Sequence, residues 1–376
     1  MIYLDNSATT ILDPEVLDAM MPWLTAGYGN ASSIYKIGRS ARVAIEQSRT
    51  EFAQLIGAHP AEIIFTSGGT ESNNAVLKSC LVDSKLASSL VYSATEHHAV
   101  IHPAESLAQQ GFDVHEASVD ALGKVDLEAL AKRPLEHALV SIMHANNETG
   151  VIQPLTAIRT VIKDALLHSD AVQSFGKVPI DVGRLPVDFL SFSAHKLHGP
   201  KGVGAMFIRK GIDFKAHQQG GGQERNRRAG TEPVALIVGM VTAARLAAEQ
   251  MDHRTQHMRM CIATAREMIT STIPNVRFNT PTDDALPNIL NVSFLDAEKL
   301  DGESILQAMD IAGVAVSNGS ACVSGSLQPS HVLKAMGLPE SEARAAVRLS
   351  VSKDTSIDEV LMASTLLSEI IRNMRV

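Results

Sequence analysis

Short apolar runs rich in β-forming residues recur between about residues 60 and 210, and stretches of helical character separate them. The runs are residues 63–65, 90–92, 139–142, 189–192 and 205–208. Because each run is continuously apolar, the pattern predicts strands that are buried on both faces. Their alternation with helices predicts an α/β domain with a mostly parallel sheet.

The pattern changes towards the carboxyl end of the chain. Residues 234–268 are rich in Ala and predict one long helix. Residues 288–294 alternate as in a half-buried strand, residues 348–351 predict another strand, and an amphipathic helix runs to about Met374. These elements predict a second, smaller α+β domain.

The change of pattern places the domain boundary near residue 255. We expect residues 16–255 to form the large domain, with residues 1–15 and 256–376 in the small one. A chain of 376 residues is long enough for two such domains.

Composition narrows the functional classes. The net charge of −8 argues against direct nucleic-acid binding and against a broad contact with an anionic membrane. We found no apolar stretch of about 18 residues, so no membrane span is expected. The chain starts without a signal-peptide pattern, and its three cysteines do not form a disulfide framework, so we expect a cytoplasmic protein.

A glycine-rich cluster at residues 66–74 follows a predicted strand and opens a helix. Its glycines allow close backbone approach, and the helix start offers free N–H groups and a positive dipole end. Together with the Thr70 hydroxyl, this arrangement suits a phosphate group. For this cluster taken alone, a simple strand-to-helix turn is the favoured interpretation.

Lys196 lies just beyond the apolar run 189–192, in a segment flanked by Ser and His. An amine at the end of a buried strand can form a Schiff base with a carbonyl cofactor. Lys201, by contrast, is expected to be an ordinary surface lysine. Asp170 precedes Lys196 by 26 residues and could keep the pyridine nitrogen of pyridoxal 5′-phosphate (PLP) protonated. The alternative for Asp170 is a helix N-cap.

His97 and Arg348 are further candidates. His97, in residues 95–100, could stack on an aromatic cofactor and move protons near neutral pH. The adjacent pair His97 and His98 lacks the spacing of helical zinc ligands, so we expect no metal site. Arg348 could pair with a substrate carboxylate, and a structural ion pair is an equally good explanation.

Cys322 lies in residues 317–326, where small and polar residues predominate. This composition predicts a loop, and an exposed thiol there suggests chemical use. Cys80 and Cys261 have apolar, helical surroundings and are expected to be packing residues.

From residues 3–10 to Ser350, these motifs resemble, in the same order, the cysteine desulfurases of the class V, fold-type I PLP family. The resemblance implies a large domain with a mostly parallel seven-stranded sheet and a smaller α+β domain. It implies a Schiff base between PLP and Lys196, a pyridinium contact from Asp170 and a ring contact from His97. It assigns the remaining cofactor contacts to Gly69, Thr70, Asn147, Gln173, Ser193 and His195.

The same resemblance implies the substrate and the assembly. Arg348 and Asn147 would contact L-cysteine, and Cys322 would carry the released sulfur as a persulfide. Thr231 would bind the cofactor phosphate of the other subunit, which implies a homodimer. A sulfur-acceptor protein, whose identity the sequence leaves open, would receive the sulfur for iron–sulfur cluster assembly, tRNA thiolation or DNA phosphorothioation.

Within the family, the Cys322 loop is similar to that of group I, which includes the housekeeping and nitrogen-fixation desulfurases. Residues 220–225 and 329–339 are also similar to the desulfurases that feed DNA phosphorothioation. The segment before Asp170 is about two residues shorter than the family pattern, so a tight join is expected there.

Two alternatives use the same scaffold. A PLP-dependent selenocysteine or cysteine lyase would not need the loop thiol, so Cys322 favours the desulfurase. A non-catalytic sulfur-carrier subunit would not need Lys196, Asp170 and His97 together.

Overall fold

The computed structural model describes residues 1–319 and 328–375. Its helices are α1 (Pro14–Thr25), α2 (Lys36–Leu55), α3 (Gly69–Lys78), α4 (His98–Gln109), α5 (Leu127–Leu130), α6 (Leu155–Ile162), α7 (Val234–Glu249), α8 (Met251–Thr272), α9 (Gly302–Ile311), α10 (His331–Ala335), α11 (Glu340–Arg344) and α12 (Ile357–Arg375). Its strands are β1 (Ile2–Tyr3), β2 (Ile63–Thr66), β3 (Ser89–Ser93), β4 (Asp113–Ala117), β5 (Ala138–Ser141), β6 (Leu166–Asp170), β7 (Phe189–Ser193), β8 (Gly204–Ile208), β9 (Val276–Phe278), β10 (Ile289–Phe294), β11 (Val314–Ala315) and β12 (Val347–Ser350).

Seven strands form the central sheet in the order β2-β8-β7-β6-β5-β3-β4. Neighbouring strands are parallel except at β8, which is antiparallel to both β2 and β7. The predicted α/β fold with a mostly parallel seven-stranded sheet is therefore confirmed.

Residues on opposite faces of one strand pack into different cores, as the pleat of a buried strand requires. Phe192 joins the core under α2 and α7, whereas Phe189 joins the core under α3 and α4. All five predicted runs are strands, and β4 and β6 add two more. The join between α6 and β6 is three residues long and includes Lys163 with a φ of 54°, in agreement with the expected tight connection.

The single helix predicted for residues 234–268 is wrong. The chain forms α7 and α8, which meet at Gln250 with a bend of 76°. Helix α7 packs against α1 and α2, whereas α8 packs against α12. The chain therefore turns at Gln250 because the two halves of the apolar stretch have different packing partners.

Within the described ranges, no single helix has the length and hydrophobicity needed to cross a membrane. Only the bent pair formed by α7 and α8 would meet those two requirements, and only when the two are counted together.

A three-stranded antiparallel sheet has the order β12-β10-β9, and β1 and β11 form a parallel pair. Residues of these strands share a separate hydrophobic core with residues of α8, α9 and α12. The half-buried strand predicted for residues 288–294 is wrong, because all six residues of β10 are buried. Leu290 and Val292 enter the core, whereas the polar face is covered by other parts of the chain. There the amide of Asn291 donates to the carbonyl oxygen of Glu148 at 3.3 Å and accepts from Asn279 at 2.7 Å. The predicted domain limits stay a prediction.

Candidate active site

The carboxyl ends of β6 and β7 face one cavity of about 480 Å³. Such strand ends are where parallel sheets commonly bind ligands. Ten of the predicted site residues line this cavity: Gly69, Thr70, His97, Asn147, Asp170, Gln173, Ser193, His195, Lys196 and Arg348. The structure thus brings together residues that are far apart in the sequence.

Lys196 is held by the amino-terminal segment of the chain. It ends a single turn of 3₁₀ helix, Ala194–Lys196, directly after β7. Its Nζ donates to the carbonyl oxygens of Ser7 and of Ala8, the latter at 2.8 Å. Burial, together with the charge of Arg348, lowers the pKa of Lys196 to about 8. The amine therefore loses its proton more readily than a surface lysine does.

Asp170 is the last residue of β6 and is 6% exposed. Its Oδ2 accepts a hydrogen bond from Asn73 Nδ2 at 2.6 Å, and its Oδ1 accepts from the Val172 N–H at 2.9 Å. The second bond is the local capping contact that the sequence left as an alternative. Asp170 makes this contact and also faces the cavity, so the two interpretations are compatible.

His97 precedes α4 as its N-cap residue, and its Nδ1 accepts from the Ala99 N–H at 3.0 Å. In the neutral imidazole the proton is therefore on Nε2. Desolvation lowers the pKa of His97, which favours this neutral form. His98 instead stacks on His102, with the ring centroids 4.9 Å apart. Among the described residues, no three His, Cys, Asp or Glu side chains are placed to bind a metal ion.

The start of α3 lies at one end of the cavity with Gly69 and Thr70. A Cβ atom at Gly69 would lie only 2.5 Å from Cγ2 of Val172, so a larger residue does not fit there. His195 lies nearby, and its Nδ1 is 3.1 Å from the Thr9 hydroxyl. Burial, with the charge of Lys196, lowers the pKa of His195 to about 4, so this imidazole is neutral. Helix N–H groups, hydroxyls and the absence of a Cβ make this end suitable for an anion.

Arg348 lies on β12, and its side chain is almost fully buried. Its guanidinium donates to Asp5 Oδ1 at 2.6 Å and to the carbonyl oxygen of Asn147 at 2.8 Å. Within residues 1–319 and 328–375, its Nε has no hydrogen-bond partner. Arg348 thus forms a structural ion pair and also lines the cavity, where it can receive a carboxylate.

The family profile described as Aminotransferase class-V matches residues 2–362 of this chain. The chain belongs to the class-V aminotransferase family. A relative described as cysteine desulfurase IscS, from Dictyoglomus turgidum, is 44% identical over 378 residues, which cover 100% of this chain and 95% of the relative.

Solved structures agree with this class-V assignment. A structure titled NIFS-like protein matches with a TM-score of 0.91 and 36% identity, covering 99% of both chains. A structure titled DndA, from Streptomyces lividans, matches with a TM-score of 0.77 and 37% identity, covering 92% of this chain and 98% of that one.

Two predicted site residues are not among the described residues that line the cavity. Thr231 is exposed and does not line the cavity of its own chain. Cys322 lies outside the described residues. The other two cysteines are buried, and burial raises the pKa of both thiols, which disfavours their reactive thiolate forms.

Several cavity residues were not predicted. Asp5 forms an ion pair with Arg348, and the backbone carbonyl oxygen of Ser7 accepts hydrogen bonds from Lys196 and Gln173. Asn73, which donates to Asp170, lies one turn after Gly69 on α3, so helical spacing could have indicated it. For Asp5 and Ser7, the motif in residues 3–10 was the only signal in the sequence.

Proposed function

We propose that this class-V protein is a PLP-dependent cysteine desulfurase that converts L-cysteine into L-alanine and passes the sulfur to Cys322. The expected desulfurase activity and PLP dependence are confirmed by the comparisons. For the roles that we propose for individual residues, the best support is that Lys196, Asp170, His97 and Arg348 line one cavity.

The residues of the cavity fit PLP. The tight site at Gly69 and the start of α3 suit the phosphate, together with Thr70, Ser193 and His195. Bound PLP supplies an electron sink, which a carboxylate beside its pyridine nitrogen strengthens.

Asp170 can act as that carboxylate because its two oxygen atoms are fixed by Asn73 and Val172. Lys196 is the proposed Schiff-base residue, and its lowered pKa leaves a large share of the amine neutral near pH 8. Asn147 and Gln173 would contact the cofactor oxygen and the substrate.

The chain's own residues then bind the substrate and move protons. Arg348 would hold the substrate carboxylate through its guanidinium, which lines the cavity and is oriented by Asp5 and Asn147. Neutral His97, with its proton on Nε2, is placed to donate it, and the free Lys196 amine is placed to accept one.

The sulfur step needs no external oxidant. The thiolate of Cys322 attacks the substrate sulfur, the carbon–sulfur bond of the substrate breaks, and its electron pair stays with the carbon. That carbon takes up a proton and becomes the methyl group of alanine, while Cys322 keeps the sulfur as a persulfide. The carbon is reduced as the two sulfur atoms are oxidised, so electrons balance.

We also propose a homodimer in which Thr231 reaches the cofactor phosphate of the partner. The exposure of Thr231 supports this arrangement. Nine of the seventeen large hydrophobic side chains that are exposed in the described ranges lie between residues 11 and 43, among them Tyr28, Ile34 and Val43. Such a concentration of exposed apolar surface favours an interface.

The acceptor would be a protein that takes the sulfur from Cys322 for iron–sulfur cluster assembly, tRNA thiolation or DNA phosphorothioation. Persulfide transfer to purified candidate acceptors distinguishes these pathways.

The activity is tested by supplying L-cysteine to the PLP-loaded protein and measuring L-alanine. The wild type should release alanine, and Lys196→Ala should release none, because no other lysine lines the cavity among residues 1–319 and 328–375. Alanine release by the Lys196→Ala variant at the wild-type rate would contradict the role of this lysine.

A further inference from the structure

Glu148 contacts both described ends of the segment that carries Cys322. Gly319 is the last described residue before this segment, and Ser330 lies two residues beyond its other end at Gln328. Ser330 Oγ donates to Glu148 Oε2 at 2.5 Å. A Cβ atom at Gly319 would lie 2.7 Å from the same oxygen, so the backbone of Gly319 packs directly on the carboxylate.

The contact at Gly319 depends on glycine. Its φ of +94° is a conformation that other residues rarely adopt. Any side chain would also collide with the Glu148 carboxylate. The preceding strand-like contact reinforces this end, since the backbones of Ser317 and Arg348 pair with each other.

The contact at Ser330 links the other end to a helix. Its hydroxyl, besides donating to Glu148, accepts from the Leu333 N–H at 3.1 Å and so caps α10. Next to it, His331 Nε2 lies 2.9 Å from the carbonyl oxygen of Glu96, the residue that precedes His97.

Glu148 itself is fixed at the edge of the cavity. It is 1% exposed, and its backbone N–H donates to Asn146 Oδ1 at 2.9 Å. The residue before it, Asn147, lines the cavity and accepts from Arg348. Burial raises the pKa of Glu148, while the Ser330 hydrogen bond and the charges of His331 and Arg348 oppose that rise. Burying a carboxylate at this position costs free energy unless hydrogen bonds and nearby positive charges compensate for its lost hydration.

We propose that Glu148 is a positioning residue for sulfur transfer, which fixes both ends of the Cys322 segment relative to the substrate-binding residues Asn147 and Arg348. This inference rests on the proposed role of Cys322. Glu148 is not among the described residues that line the cavity, so we infer that it acts through the two flanks of this segment: its carboxylate accepts a hydrogen bond from Ser330 and packs against Gly319. Its loss should therefore slow the attack of the Cys322 thiolate on the substrate sulfur and leave the binding of cysteine and PLP in place.

The test uses the PLP-loaded protein and four variants. Glu148→Ala removes both contacts, Ser330→Ala removes one, and Glu148→Gln keeps an amide oxygen that can accept from Ser330. Glu267→Ala, at an exposed position of α8, is the control. For each we measure bound PLP, the absorbance change on adding L-cysteine, steady-state kcat and KM, and single-turnover persulfide formation on Cys322 by mass spectrometry.

We expect Glu148→Ala to lower kcat and the single-turnover persulfide rate together by about tenfold or more, because small misplacements of a reacting group have effects of this size. Bound PLP and KM for cysteine should stay within about twofold of the wild type, as misplacement leaves ground-state binding intact. Ser330→Ala should show a smaller loss, Glu148→Gln should lie between Glu148→Ala and the wild type, and the control should match the wild type.

Two results would overturn the inference. One is an unchanged persulfide rate in both Glu148→Ala and Ser330→Ala. The other is a loss of bound PLP with an unchanged rate per bound cofactor, which would make Glu148 a residue of general stability. If Glu148→Ala does not fold, Ser330→Ala alone decides between these outcomes. A wild type that forms alanine without a persulfide on Cys322 would instead refute the proposed function.

Discussion

Burial and the nearby positive charge of Arg348 both lower the pKa of the Lys196 amine. Its pKa is lowered to about 8, whereas a lysine in water keeps its proton until about pH 10.4. Only the neutral amine attacks the aldehyde of PLP. The titration of this one side chain therefore controls how fast the cofactor-free protein captures PLP.

We predict that the rate of PLP capture rises with pH and then levels off. The neutral fraction of Lys196 should increase about fivefold from pH 7 to pH 8 and only about twofold beyond pH 8. Stopped-flow absorbance of the cofactor-free protein measures this rate, and Nα-acetyl-lysine, whose amine has the ordinary pKa, is measured under the same conditions as the reference. A protein rate that rises in parallel with the reference rate, by about tenfold between pH 8 and pH 9, would indicate an ordinary lysine.

Arg348 should bind the substrate carboxylate in addition to forming its ion pair with Asp5. We expect Arg348→Ala to raise KM for L-cysteine by about 10- to 150-fold, which corresponds to a charge-assisted contact of roughly 1.5–3 kcal/mol. Arg344→Ala is a matched control, since Arg344 is exposed and pairs only with Glu340 at 2.6 Å in the described residues. An unchanged KM in Arg348→Ala would leave Arg348 with the structural ion pair alone.

Most single residues of the cavity could be predicted because each lies in a motif at the end of a strand. Lys196 follows the predicted run 189–192, which placed it at the end of a strand. Asp170 was predicted from the carboxylate that PLP requires and from its position 26 residues before Lys196, since β6 was not among the predicted strands. Ser7 and Asp5 could not be placed in this way. They reach Lys196 and Arg348 across 189 and 343 residues of sequence, and such contacts depend on how the chain folds back on itself.

At the scale of elements, a buried ion pair fastens the segment before Thr231. Arg49 on α2 donates to both carboxylate oxygens of Glu224 at 2.7 and 2.8 Å, and both side chains are almost fully buried. Glu224 also accepts from the Phe65 N–H at 2.9 Å. Glu224, Arg225 and Asn226 all have positive φ values, a costly run for residues other than glycine. The ion pair therefore offsets backbone strain in this segment.

We predict that Arg49→Met lowers the free energy of unfolding by about 3–5 kcal/mol, because it leaves the Glu224 carboxylate buried without its partner. Arg184→Met serves as the control, since Arg184 is exposed and forms a 3.5 Å pair with Asp181, which is itself about half exposed. Its effect should be under about 1 kcal/mol. Urea denaturation at one protein concentration compares the two, and equal effects would contradict the anchoring role of Arg49.

Elements were predictable where the apolar pattern alone decides burial. The five predicted strands of the central sheet are examples. The break at Gln250 and the full burial of β10 were missed because they depend on tertiary partners. Helix α7 packs against α1 and α2, α8 packs against α12, and Asn291 is covered by Glu148.

At the scale of the whole molecule, a shared active site predicts complementation between two defective subunits. Thr231→Val should bind PLP weakly, and Lys196→Ala should be inactive. In a hybrid dimer, the cavity that keeps Lys196 receives an intact Thr231 from its partner. Random mixing should restore about a quarter of the wild-type active sites, since half of the dimers are hybrids with one complete site each.

Activity is measured after unfolding and refolding the two variants together, and after refolding each alone as a control, without excess PLP. No recovery in the mixture would mean that Thr231 serves the cavity of its own chain. An active monomer in sedimentation would contradict the dimer itself.

The most direct test of the account is mass spectrometry of the PLP-loaded protein after brief treatment with L-cysteine. The thiolate is a far better nucleophile than a serine hydroxyl, and burial keeps Cys80 and Cys261 in their thiol forms. We predict one added sulfur atom on the peptide with Cys322 and none on the peptides with the other cysteines. Cys322→Ser should keep bound PLP and lose alanine formation. Alanine formation by Cys322→Ser at the wild-type rate, or added sulfur on Cys80 or Cys261, would contradict the central claim.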